Sequence, residues 1–288
     1  MQVTNGSINL HVAEDGDPSA PPILLLHGIT SFGRTWDWLV PTLAERFRVL
    51  RLDFRGHGRS DRAPGEYNGA GYVSDAVAAL EQAAGQPCVV IGHSLGGVTT
   101  AALTQRHADL LLGAVMEDPP LGPTSPSAIS SLEGNALLDG FRLMRESIPA
   151  LQQAKLPLDT IVAMLRAAPD TTGEATFGEK LFADGIETMA GSLLEADASV
   201  LDPVLTGQIE SFLDPTVPFG VPSLILCADP AKPDAVASPV TARHYAEISP
   251  DVEVVVVEGA GHLIHDELAS REILRRAVLR FLDRVAPG

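Results

Sequence analysis

Gly92-His93-Ser94-Leu95-Gly96 follows the apolar run Pro87-Cys88-Val89-Val90-Ile91 and opens the small-residue stretch Gly97-Val98-Thr99-Thr100-Ala101-Ala102. This is a Gly-x-Ser-x-Gly sequence in the context it needs. A buried strand turns sharply into a helix, and the turn aims the serine hydroxyl out of the top of a sheet. The two glycines keep Cβ atoms out of the place where strand and helix nearly collide. Serine and glycine are common in loops, so the pentapeptide alone says little. The strand before it and the helix after it make Ser94 the candidate nucleophile.

The segments on either side extend the pattern. Ser7-Ile8-Asn9-Leu10-His11-Val12 alternates as a half-buried strand does, whereas Pro22-Ile23-Leu24-Leu25-Leu26-His27 is continuously apolar, as a central parallel strand covered on both faces must be. Phe47 to Asp53 reads as a strand, 70–84 as a helix, the stretch after the elbow as a helix to about His107, and Leu111 to Met116 as a strand. From Gly122 to Phe219 strand-like runs vanish and helical spacings replace them. Leu137, Phe141 and Met144 share one face; so do Ile161, Leu165 and Ala168; so do Phe182, Ile186, Met189 and Leu193. Strands return at Pro222 to Cys227 and Val252 to Val257, and a last helix carries Leu274, Ala277, Val278 and Phe281. Strands alternating with helices predict an α/β fold with a mostly parallel sheet flanked by helices. The expected division is a core of residues 1–121 and 220–288 with an all-helical cap, 122–219, inserted over the carboxyl ends of the strands.

Composition removes several classes of function. The 288 residues are 45% hydrophobic and 20% charged, as in a globular domain. Twenty Lys and Arg against 37 Asp and Glu give 20 − 37 = −17, which argues against nucleic acid or an anionic membrane as partner. No apolar stretch is long enough to span a bilayer, and the start of the chain has neither a basic region nor an apolar signal core. Cys88 and Cys227 both lie in apolar strand-like runs and are expected as buried free thiols, so the expected location is the cytoplasm. No His, Cys and carboxylate spacing suits a metal and no Gly-x-Gly-x-x-Gly follows a strand, so no cofactor is implied. The partner expected is a small-molecule substrate; a homo-oligomer is left open.

A serine needs a base to activate it and an acid to orient the base. His262, in Glu258-Gly259-Ala260-Gly261-His262 directly after the last strand, is the candidate base. His265 is expected in the helix that follows, and His27, His57 and His93 in tight turns as structural hydrogen-bonding residues. The developing oxyanion needs donors. Leu95, the residue after the nucleophile, offers one backbone N–H, and Ile29 in His27-Gly28-Ile29-Thr30 offers the second. Trp36 and Trp38 follow that loop, one expected in the core and one at the pocket.

His27-Gly28, Asp53-x-Arg55-Gly56-His57-Gly58-x-Ser60, Gly92-His93-Ser94-Leu95-Gly96-Gly97 and Gly259-Ala260-Gly261-His262 stand in an order and spacing that resemble the α/β-hydrolase fold family. The resemblance implies an eight-stranded sheet, a lid of helices and a Ser-His-acid triad. It also implies that the turn at Arg55, His57 and Arg59 braces the sheet edge. A serine rather than an aspartate at position 94 argues against epoxide hydrolysis and dehalogenation. The acid is where the chain departs from the family. The usual position, in the loop after the seventh strand, falls on Ala231, with Asp229 before it and Asp234 after it. Relatives that include lactonases of macrocyclic mycotoxins place an acid directly after the sixth strand, where this chain has Glu117 and Asp118. Asp118 is therefore the expected acid, with Asp229 the alternative. The expected activity is hydrolysis of a carboxylic ester or lactone of a mostly apolar small molecule. C–C bond hydrolysis of a diketone-type compound, which would use the same residues, and a non-catalytic binding protein are the rival readings.

Overall fold

The computed structural model describes residues 1–122, 136–170, 172–206 and 213–286. The continuously apolar runs become strands buried on both faces. β3 (Pro22–Leu26) and β5 (Cys88–His93) are buried at every position, and so is β7 (Ser223–Cys227). Successive residues of a strand point to opposite faces, and the packing follows that alternation. Leu24, Leu26, Val90 and Met116 join one core with α1 (Gly69–Ala79) and α2 (Leu95–Arg106). Ile23, Leu25, Val89 and Val115 join the other with α7 (Arg271–Val285), through Leu274, Ala277, Val278 and Phe281.

With β1 (Gln2–Asn5), β2 (Ile8–Asp15), β4 (Arg48–Leu52), β6 (Leu111–Glu117) and β8 (Val252–Val256), these strands form one eight-stranded sheet in the order β1-β2-β4-β3-β5-β6-β7-β8. β1, β2 and β4 pair antiparallel; every other neighbouring pair is parallel. From β3 the chain moves outward to β4 and then crosses to the other side of β3 as β5. The order thus reverses between β3 and β5, and crevices at such reversals, outside the carboxyl ends of the strands, bind ligands. The elbow after β5 and the His27–Thr30 loop after β3 flank that crevice.

Between β6 and β7 the described residues contain helices and no strand. They are α3 (Ala136–Ala154), α4 (Leu158–Ala167) and α5 (Ala183–Glu195), with one-turn helices between and after them. Residues 123–135, 171 and 207–212, assigned to the cap by sequence, lie outside the described residues. α6 (Pro239–Ile248) links β7 to β8. No helix among the described residues is long and apolar enough to cross a membrane.

Candidate active site

Ser94 sits at φ 50°, ψ −108°, a left-handed conformation that L residues rarely adopt. Its neighbours hold it there. The Ser94 N–H donates to the Glu117 carbonyl at 2.9 Å, and the Gly96 N–H donates to the His27 carbonyl at 3.0 Å. The strand behind and the helix ahead pack so closely that a Cβ on Gly92 would collide with the Gly96 carbonyl. One on Gly96 would collide with the Leu26 carbonyl. Both glycines are therefore steric necessities of the turn rather than loosely flexible positions.

Asp118 follows β6 at φ 41°, with its N–H on the Leu226 carbonyl of β7 at 2.7 Å. Its fully buried carboxylate collects four donors. Ala228 N–H and Ala237 N–H reach Oδ1 at 2.9 and 3.0 Å; Val236 N–H and His262 Nδ1 reach Oδ2 at 3.0 and 2.7 Å. A carboxylate can only accept, so Nδ1 carries the proton and the Nε2 lone pair is left for the cavity. The loop bearing His262 is held from behind by His93, whose Nε2–H donates to the His262 carbonyl at 3.1 Å. Ser94 and His262 line one cavity of about 180 Å³. The Ser94 hydroxyl makes no hydrogen bond to a described residue.

Asp229 is placed elsewhere. Its oxygens accept from Gly259 N–H at 2.8 Å and Ala231 N–H at 2.9 Å, bracing the His262 loop without touching the imidazole. Glu117, adjacent to Asp118, points to the other face of its strand, as the pleat requires. There it accepts from His265 Nδ1 at 2.9 Å, while His265 Nε2 meets Thr35 Oγ1 at 2.9 Å. Burial opposes charge on His265, but the charges of Glu117 and Asp266 and the Glu117 hydrogen bond override it and raise the imidazole to about 9. His93, packed between the rings of His262 and His265 at 4.7 Å from each, is driven well below the usual range by burial and by those two rings.

The sequence gives no sign of this grouping. Ligand atoms of His93, Glu117 and His265 fall within 4.8 Å of one another, although Glu117 and His265 already satisfy each other. His265 lies in a turn ahead of α7 rather than in the helix expected for it, because α7 begins only at Arg271.

Leu95 is the first residue of α2, where a helix leaves its amides unpaired. Ile29 lines the cavity, and its N–H bonds to no described acceptor. Both amides are thus unspent beside Ser94. Phe141 and Met144 of α3 and Met189 of α5 form the apolar side of the same cavity. Trp36 is fully buried and stacks on His265. Trp38 is not at the pocket as expected; it carries the Arg271 guanidinium on its ring at 5.0 Å. Arg55 is spent on Asp75, at 2.9 and 2.7 Å, and the Nδ1 atoms of His27 and His57 meet neighbouring carbonyls.

Comparison with known proteins agrees with the fold. Residues 23–276 match the profile of the alpha/beta hydrolase family. Among curated proteins, 2-(acetamidomethylene)succinate hydrolase of Mesorhizobium japonicum is 28% identical over 98% of this chain and 94% of its own. A solved structure of E-2-(acetamidomethylene)succinate hydrolase superposes with TM-score 0.70 at 24% identity, covering 98% of both chains. The enol-lactonase of Burkholderia xenovorans superposes with TM-score 0.63 at 22% identity, over 98% of this chain and 99% of its own. At these identities the structural likeness speaks for the fold.

Proposed function

The chain belongs to the alpha/beta hydrolase family, and on that footing we propose that it cleaves a carboxylic ester or lactone of a mostly apolar small molecule. Ser94 is the nucleophile, His262 the base and then the acid, and Asp118 the orienting carboxylate. One observation carries the reading. Asp118 Oδ2 holds His262 Nδ1 at 2.7 Å beside a cavity that Ser94 shares.

Ser94 Oγ attacks the carbonyl carbon as His262 Nε2 takes its proton, and the carbonyl electron pair moves onto oxygen. The N–H groups of Ile29 and Leu95 receive that oxyanion; such donors are worth about 3 kcal/mol each. Collapse breaks the bond to the alcohol oxygen, which leaves with the proton from Nε2. Water then attacks the acyl-enzyme with His262 again as base, and the acid product departs as Ser94 regains its proton. Asp118 stays ionised throughout and stabilises the imidazolium.

The helices between β6 and β7 act as a cap that selects the substrate, through Phe141, Met144 and Met189. No Lys or Arg is among the described residues lining the cavity. This speaks against a dicarboxylate such as the succinate derivative in the name of the Mesorhizobium relative, since two carboxylates entering an apolar cavity need cations. The buried free thiols of Cys88 and Cys227 suit a reducing compartment, and the cytoplasm is the proposed location. A fluorophosphonate is expected to add to Ser94, seen by intact mass and lost in Ser94→Ala. Folded protein that stays unlabelled would overturn the mechanism.

A further inference from the structure

Asp234 stands in the loop between β7 and α6, two residues before Val236, whose N–H is bonded to the Asp118 carboxylate. It is 9% exposed. Among the described residues its own carboxylate accepts no hydrogen bond and forms no ion pair, although its charge is felt by Lys180. Its oxygens open onto the cavity rather than into the packed interior, so an unpaired negative charge stands where a cationic group of a ligand can meet it.

Its surroundings narrow what the partner is. Asp234 lines the Ser94 cavity and also an adjoining one, with Phe177 and Leu263 as further shared walls. Gly261, immediately before His262, makes room for it. A Cβ there would stand 2.8 Å from Asp234 Oδ2 and 2.9 Å from Oδ1. The carboxylate therefore rests against the loop that carries the proposed base. Of the cations nearby, Lys180 pairs with Asp170, and Lys232 on the same loop makes no ion pair with Asp234. The other acid of the Ser94 cavity, Asp266, is answered by His265 at 3.5 Å and Arg271 at 3.4 Å. Glu267 adds to the demand rather than meeting it. Its Oε1 accepts from Gly261 N–H at 2.9 Å, and burial together with the charge of Asp234 raises its carboxyl above the ordinary range.

We propose that Asp234 is the specificity-determining residue of this cavity, binding a cationic nitrogen (an ammonium or quaternary ammonium group) carried by the substrate. The apolar wall of Phe141, Met144 and Met189 takes the body of that substrate, and Asp234 takes its charged end. A charge-assisted contact in a partly dry site gives about tenfold or more in discrimination. The inference rests on the hydrolytic reading of Ser94.

The test pairs p-nitrophenyl esters of trimethylammonio-alkanoic acids with their tert-butyl-alkanoic isosteres, over two to five methylenes. Each kcat/KM is normalised to its spontaneous rate. The wild type is expected to favour the ammonium ester about tenfold or more at one chain length. Asp234→Asn should bring the ratio to about one, and Asp234→Glu should keep part of it. No preference at any length, or a preference that survives in Asp234→Asn, overturns the proposal. If Asp234→Asn fails to fold, the ratios in the wild type and Asp234→Glu decide. If no ester is turned over, the hydrolytic reading fails separately. Calorimetry on Ser94→Ala with the matching ammonium and neutral amides then decides the role of Asp234 by the ratio of their Kd values.

Discussion

Replacing Asp118 with Asn exchanges one carboxylate oxygen for NH₂ at constant shape, and the four donors around it dictate the result. Two backbone amides hold Oδ1, at 2.9 and 3.0 Å, while one amide and His262 hold Oδ2, at 3.0 and 2.7 Å. The carboxamide oxygen therefore takes the Oδ1 place, and its NH₂ faces Val236 N–H and His262. To avoid N–H against N–H, His262 must carry its proton on Nε2, which then cannot receive the Ser94 proton. A base locked in the wrong tautomer loses about 10⁴-fold in turnover, about 5 kcal/mol of transition-state stabilisation. Stranding the Val236 N–H costs folding about 1–3 kcal/mol, less than the usual stability of a domain, about 5–15 kcal/mol. The variant should thus melt cooperatively a few degrees early and be nearly inert toward p-nitrophenyl esters. Retention of more than a tenth of wild-type kcat/KM would refute the reasoning, as would an equal loss in Asp229→Asn.

The elbow is expected to tolerate no Cβ. Gly96→Ala should cost about 3 kcal/mol of stability and abolish phosphonate labelling, because the collision is with the Leu26 backbone rather than a movable side chain; near-normal melting would contradict this. The His265–Glu117 pair predicts a pH signature. His265 is raised from 6.5 to about 9, so its contribution to stability is complete below about pH 6.5 and is lost as pH rises through about 9. The Tm should fall across that window. Glu117→Gln, which breaks a buried pair at a cost of about 3–5 kcal/mol, should lower Tm at pH 6 and flatten the fall; parallel Tm–pH curves would count against it. Burial pushes the thiols of Cys88 and Cys227 up to about 12. Iodoacetamide at pH 8 should therefore spare both in folded protein and alkylate both in guanidinium, as read by mass.

The parts of the fold legible in the sequence are those set by neighbours along the chain. Apolar runs such as Pro22–Leu26 and Cys88–Ile91 read as strands because both their faces are covered. The spacing of Leu274, Ala277, Val278 and Phe281 reads as a helix because one of its faces is covered. β1 has no such signature, since Gln2–Asn5 is short, mostly polar and paired only at the sheet edge. Its place three residues after His262 predicts His265 in a helix. The chain instead spends another turn there, bonding the Ser270 hydroxyl to the Ile264 carbonyl, before α7 starts.

The sequence by itself determined the α/β class, the elbow that positions Ser94 and the loop that carries His262, because turn chemistry and periodicity act over a few residues. It pointed to Asp118 only through the family resemblance, since no local rule separates that residue from Glu117, Asp229 and Asp234. The tertiary structure alone gave each of the four its place. β6 ends with Glu117 on one face, toward His265, and Asp118 turned toward an imidazole 144 residues away. Asp229 is absorbed in bracing a loop, and Asp234 is left at the cavity with no hydrogen bond to any described residue. The physical reason is that a carboxylate's role follows from the donors that surround it. Those donors come from the loop between β7 and α6 and the loop after β8, which meet β6 only once the sheet has closed.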